Sequence, residues 1–167
     1  GYGMAMMWDI ENGYKDGQDH GMFASSKEPN VDWLNPHPSF YHYYYYNKCF
    51  GDTYYESHST SKLIRIHTST FSSGEIGIVA INISSEEEVL SLNIKNKNTG
   101  NIAGVFELSS DSPSSRKVAI NSTVTNKEAG GPQNFLKIKA NKIEIRDNNL
   151  KLNLKPYSAN YIVIENE

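Results

Sequence analysis

Cysteine is almost missing from this 167-residue chain, with Cys49 standing alone. That excludes an internal disulfide and any metal site built on several thiolates. Cys49 lies among aromatic and apolar residues, so it is expected to be a buried structural thiol rather than a reactive one. A basic surplus is also missing. Sixteen Lys and Arg against 19 Asp and Glu give a formal net charge of −3. No basic stripe stands out, so nucleic acid is not an expected partner. No apolar run approaches the ~18 residues of a membrane span, so no membrane partner is expected either.

Other absences narrow the chemistry. Five histidines (His20, His37, His42, His58, His67) show neither i, i+4 pairing nor an H-E-x-x-H pattern, so no metal or other cofactor is expected. "DGQD" from Asp16 is too short for an EF-hand loop and lacks its distal glutamate. Ser, His and Asp are plentiful, but no G-x-S-x-G elbow presents a nucleophile. "SSEEEV" from Ser84 reads as a solvated turn. "NIS" at Asn82 and "NST" at Asn121 are formal glycosylation patterns without further support. No signal peptide is apparent, and the opening at Gly1 looks like a boundary within a longer polypeptide.

What is present falls into two compositions. Residues 1–58 hold both tryptophans, all four methionines and nine of the eleven tyrosines. From Lys62 the chain turns to Ile, Val, Leu, Ser, Thr, Asn and Lys, and "ESHSTS" between them reads as a linker. The second part is β throughout. "KLIRIHTST", "EIGIVAINI", "VLSLNIKN" and "IAGVFELSS" are strands, with Ile76, Ile78 and Ala80 on one face and Leu90, Leu92 and Ile94 on another. "KVAINSTV" is a short strand and "NKEAGGPQN" a long turn. The stretch from Phe135 onward supplies up to four more strands, with hairpins at Ala140–Asn141 and at residues 147–149. Pro156, which has no N–H for a ladder, belongs at a corner before the last strand. About eight short strands without helical period predict a mainly β protein, an antiparallel sandwich.

The first part reads as one βα unit. "GMAMMWDI" (residues 3–10) is nearly continuous apolar sequence, the pattern of a strand buried on both faces. A long loop rich in Gly, Pro, Asn and Asp follows. Then "HPSFYHYYYYNKCFGD" (residues 37–52) sets Pro38 to open a helix and Gly51 to close it. Within it Phe40, Tyr43 and Tyr44 form one stripe and Tyr41 and Tyr45 another. Two aromatic stripes suit a helix held between two partners.

"GMAMMWDIENGY", "DHGMF", the tyrosine helix and a sandwich ending "LKPYSANYIVIE" together resemble the C-terminal portion of clan A glycoside hydrolases, of the α-L-arabinofuranosidase-like or agarase-like kind. The resemblance implies that residues 1–58 are the last strand and helix of a (β/α)8 barrel, and residues 62–167 an accessory sandwich packed on it. It implies an extracellular or periplasmic parent enzyme acting on polysaccharide or oligosaccharide. Its two catalytic glutamates would lie on strands upstream, leaving this chain inactive alone and the upstream barrel as its partner. Residues at the C-terminal end of a barrel strand face the active site. Trp8 would therefore offer a ring face to sugar, Asp9 or Glu11 would bond hydroxyls, and the following loop would add Asp19 and His20. Core packing for Trp8 and loop hydrogen bonding for Asp9, Asp19 and His20 are the competing readings. Two other functions stay open: an independent carbohydrate-binding module, which must borrow Trp8 or Trp33 because no tryptophan follows Lys62, and an adhesion or partner-binding sandwich. An unpaired strand at residues 3–10 would also favour self-association.

Overall fold

A computed structural model describes residues 9–11, 13–15, 20–97 and 99–166. Among the described residues one α-helix, α1 (Pro38–Cys49), precedes nine strands. These are β1 (Thr53–Tyr55), β2 (Ile64–Thr70), β3 (Ile76–Asn82), β4 (Glu88–Asn93), β5 (Ile102–Ser109), β6 (Ala119–Ile120), β7 (Asn141–Glu144), β8 (Asn149–Leu154) and β9 (Ser158–Ile164). Seven form one antiparallel sheet in the order β1-β2-β3-β9-β5, with β6 and β7 sharing the far side of β5. The other two, β4 and β8, pair into a ribbon. The protein is thus mainly β, as its sequence pattern predicts, with sheet packed on ribbon.

The large sheet is buried on both faces. On one, Ile76, Ile78 and Ala80 of β3 and Ile162 and Ile164 of β9 meet Leu90, Leu150 and Leu154 of the ribbon. The ribbon keeps an alternating pattern, with Val89, Lys151 and Asn153 outward and leucines inward. On the opposite face Val79, Phe106, Leu108, Ala159 and Tyr161 meet Tyr41, Tyr45 and Cys49 of α1. This is why β3 and β9 are almost uninterrupted apolar runs: each neighbouring pair of residues serves two cores.

Pro38 opens the helix and Cys49 ends it. Its buried stripe is Tyr41–Tyr45–Cys49, an i, i+4, i+8 row aimed at the sheet. Phe40 and Tyr44 lie on the flank, where Phe135 wedges edge-on at 5.7 and 5.0 Å between centroids. Tyr46 faces solvent and stacks on Phe50 at 4.8 Å. Of the two stripes expected from spacing, Tyr41–Tyr45 is buried and continued by Cys49, while Phe40 and Tyr44 of the other line the flank. The position of Cys49 explains its thiol, which burial pushes up to about 11.

The helix end sits directly on the sheet. A Cβ at Gly77 would lie 2.3 Å from the Cys49 carbonyl oxygen, and one at Gly51 would lie 2.3 Å from the Thr70 carbonyl carbon. Gly51 thus closes the helix by permitting close approach, not by adopting a left-handed turn. Buried Ser69 ties the contact, its Oγ accepting from the Gly51 N–H at 2.8 Å and donating to the Gly77 carbonyl at 3.2 Å.

Two local expectations fail. Phe135–Lys137 is a 3₁₀ turn, not a strand, and Asn141 opens β7 against β5 instead of turning a hairpin. The Phe135 ring is drawn into the α1 aromatic cluster, and the turn closes through Ile138 N–H to Phe135 O. By contrast, the chain does turn within the expected 147–149 stretch, through Asp147 and Asn148 with φ of 51° and 57°, although β7 and β8 then join different sheets rather than pairing as a hairpin. Asn121 and Ser122 make another turn, at 46° and 62°. Neither glycosylation pattern presents a free amide. Asn82 Nδ2 donates to the carbonyls of Glu86, Leu154 and Lys155, and Asn121 Nδ2 donates to that of Lys139.

Two predictions test this packing. Gly77→Ala should lower stability by about 1–3 kcal/mol in urea unfolding, because the added methyl meets backbone that cannot step aside. Alkali should act through the helix core. Burial pushes Tyr45 from 10.0 up to about 12 and Cys49 from 9.0 up to about 11, and raises Tyr161 as well. These groups hold their protons more tightly folded than unfolded. Their contribution is complete below about pH 9 and should be lost as pH rises from 9 toward 12, read as a falling Tm.

Candidate functional site

The stretch before α1 is pinned by backbone bonds. Phe23 N–H donates to Ile10 O at 2.9 Å, and Glu11 pairs with Phe23 in parallel sense. Residues 22–24 then pair with 34–37: Ala24 with Asn35 O, Leu34 with Ala24 O, and His37 with Met22 O. Of the residues expected to meet sugar, Trp8 and Asp19 lie outside the described residues. Asp9 is half-buried with a left-handed φ of 62°, and its carbonyl accepts from Met22. Glu11 and His20 are exposed.

Glu11 does not stand alone. Its Oε1 accepts the indole Nε1–H of Trp33 at 3.2 Å, fixing the ring edge while 62% of the residue stays exposed. Trp33 sits in a turn closed by Asn35 N–H to Asp32 O at 3.0 Å. The third residue of that turn, Leu34, has φ of 60°, a left-handed conformation that costs a non-glycine residue roughly 1–2 kcal/mol. Glycine or asparagine is the ordinary choice there. A large apolar residue in that position, beside an exposed tryptophan, is the feature that sequence spacing alone did not single out.

The loop is clasped to the sandwich. Glu28, whose side chain is 2% exposed, meets His37 Nε2 at 2.9 Å and the Arg116 guanidinium. His37 Nδ1 also faces Gly21 O at 2.8 Å. Asn35 Nδ2 donates to Ala129 O at 3.2 Å, and Lys127 Nζ meets Asp32 Oδ2 at 2.5 Å. Gly130, with φ of 88°, lets Pro36 O come to where a Cβ would be, 2.3 Å away. Between these loops lies a cleft of about 200 Å³, walled by residues 30–32 on one side and 126–129 on the other. No sequence signal links partners 88 to 95 positions apart; only the fold brings them together.

The remaining histidines are structural or exposed. His42 Nδ1 bonds the Tyr161 hydroxyl at 2.9 Å, and burial lowers its pKa. Among the described residues no group of three or more His, Cys, Asp or Glu is placed to hold a metal ion. None of their helices is long and apolar enough to cross a membrane.

No protein-family model and no curated protein sequence matches the chain. Solved structures do. A family 51 α-L-arabinofuranosidase bound to arabinose is similar over 88% of this chain and 21% of its own, with TM-score 0.63 and 16% identity. The likeness is to glycoside hydrolases. CelM2, a bifunctional glucanase-xylanase from a metagenome library, is similar over 81% of this chain and 24% of its own (TM-score 0.59, 18% identity). A family 30 subfamily 8 xylanase from Clostridium acetobutylicum is similar over 90% and 32% (TM-score 0.59, 15% identity). At these identities the likeness is one of fold. The chain spans between about a fifth and a third of these proteins.

The clasp yields a prediction. Glu28→Ala removes the acceptor shared by His37 and Arg116 and should cost about 1–3 kcal/mol, less than a fully buried pair because Arg116 is half exposed. Limited proteolysis should then cut within residues 20–37 before the sandwich opens.

Proposed function

We propose that this chain is the C-terminal accessory region of a polysaccharide-degrading glycoside hydrolase. In this reading residues 1–58 complete a catalytic barrel encoded upstream, and residues 62–167 form the sandwich that supports it. Glycoside hydrolysis requires two carboxyl groups held about 5–9.5 Å apart across the sugar bond. Here both belong to the upstream barrel, and this chain contributes support and contact with carbohydrate. The parent enzyme works outside the cell or in the periplasm.

The observation that carries the reading is the pattern of likeness: most of this chain, and a minor share of each enzyme, in several glycoside hydrolases. A second reading, an independent carbohydrate-binding module, is favoured by the exposed and edge-anchored Trp33.

The test is hydrolysis of xylan, arabinoxylan and β-glucan, followed as reducing-end release. This chain alone should release nothing, while the longer polypeptide encoded by its reading frame should be active. A reading frame that starts within residues 1–4, or a longer polypeptide inactive on all three, would overturn the accessory reading. Retention of this chain on one of these polysaccharides would then favour the binding module.

A further inference from the structure

Three observations converge on one corner of the molecule. The first is Trp33, largely exposed, its indole N–H donating to Glu11 Oε1 at 3.2 Å. The second is Leu34, kept left-handed in the turn that presents it. Such conformations persist where the surroundings over-determine them, and they gather at binding sites. The third is the cleft beside that turn, where Asn30 and Asp32 face Asn126, Lys127 and Glu128 of the sandwich.

One turn carries both the exposed indole of Trp33 and Asp32, which walls a cleft of hydrogen-bonding side chains, and that combination matches the two-sided chemistry of a sugar. Its axial C–H bonds make an apolar face, and its hydroxyls donate and accept around the rim. Binding sites of this kind pair aromatic surface with a few placed polar groups. A peptide or nucleic acid would ask for different features: a groove of apolar pockets, or positive charge. Here the two acids and one lysine give no positive field.

We propose that Trp33 and the cleft between residues 30–32 and 126–129 form a saccharide subsite shared by the pre-helix loop and the sandwich. The inference rests on the carbohydrate reading above and deepens it. The sandwich contributes binding groups through its 126–129 loop as well as support. Glu11 positions the ring through its edge, and the Lys127–Asp32 pair opens to exchange its contact for sugar hydroxyls. The ligand is a pentose or hexose unit of a polysaccharide chain.

The indole N–H signals of this chain, which has two tryptophans, provide the readout. Trp33 is assigned as the signal missing from Trp33→Phe, and the chain is titrated with xylohexaose, cellohexaose and an arabino-oligosaccharide. The Trp33 signal should shift and saturate with at least one of them. Trp33→Ala should weaken that binding about tenfold, and Trp33→Phe less, since it keeps a ring but loses the Glu11 bond. Lys127→Ala should weaken it several-fold. All three variants change exposed or partly exposed side chains, and unchanged circular dichroism would verify their fold.

Hydrolysis by the longer polypeptide separates the possible failures. If it cleaves a sugar that leaves Trp33 unmoved, the subsite is wrong while the accessory reading stands. If Trp33 responds but nothing is cleaved, the subsite stands and the glycosidase reading falls. Silence in both overturns both. Binding that ignores Lys127→Ala would confine the site to the tryptophan and overturn the sandwich's share.

Discussion

Everything in this fold depends on how close α1 comes to the sheet. Where the helix ends, the Cys49 carbonyl occupies the space that any side chain at position 77 would need. The Ser69 hydroxyl bridges the two backbones there. This contact sets the height of the helix, and with it the depth to which Tyr41, Tyr45 and Cys49 reach into the sheet. A sheet with only the ribbon of β4 and β8 over it would leave Val79, Phe106 and Tyr161 bare. The helix turns what would be an exposed face into a second core, so the tyrosine run is structural first.

That second core also fixes the loops. Tyr41 is pressed against Gly131, where a Cβ would meet its ring at 2.9 Å. Phe23 packs on Phe40 at 5.2 Å between centroids. The helix therefore holds the stretch preceding it on one side and the 126–134 loop on the other. The clasp of Glu28 with His37 and Arg116 finishes the alignment. The turn at residues 32–35 and the 126–129 loop are thus both placed beside segments that pack on α1.

The features legible from sequence were those set by local chemistry. Pro38, the alternation in β2 and β4, the Asp147–Asn148 turn and the placement of Pro156 each follow from residues within one or two turns of chain. The misreading at Phe135 has a nonlocal cause: "FLKIK" alternates like a strand, but its phenylalanine is claimed by three aromatic rings of α1. For the candidate site, Asp9 and Glu11 were visible as polar residues at the end of an apolar run. Trp33 became a partner of Glu11 only through pairing of residues 10–11, 22–24 and 34–37. The charge clasp spans 88 positions and leaves no periodic trace.

Asn82 and Asn121 show the fold spending side-chain amides on its own backbone. Each sits in an Asn-x-Ser/Thr triplet, and each spends its side-chain nitrogen on main-chain carbonyls where the chain turns or changes sheets. An oligosaccharyltransferase meets the nascent chain before those bonds form. In a host that carries out this modification, glycan transfer and folding would compete for the same two nitrogens. A glycan placed first would keep β3 from closing against the crossing between β8 and β9. Production in a secretory eukaryotic cell would then yield a mixture of folded, unmodified chain and modified chain held back by quality control.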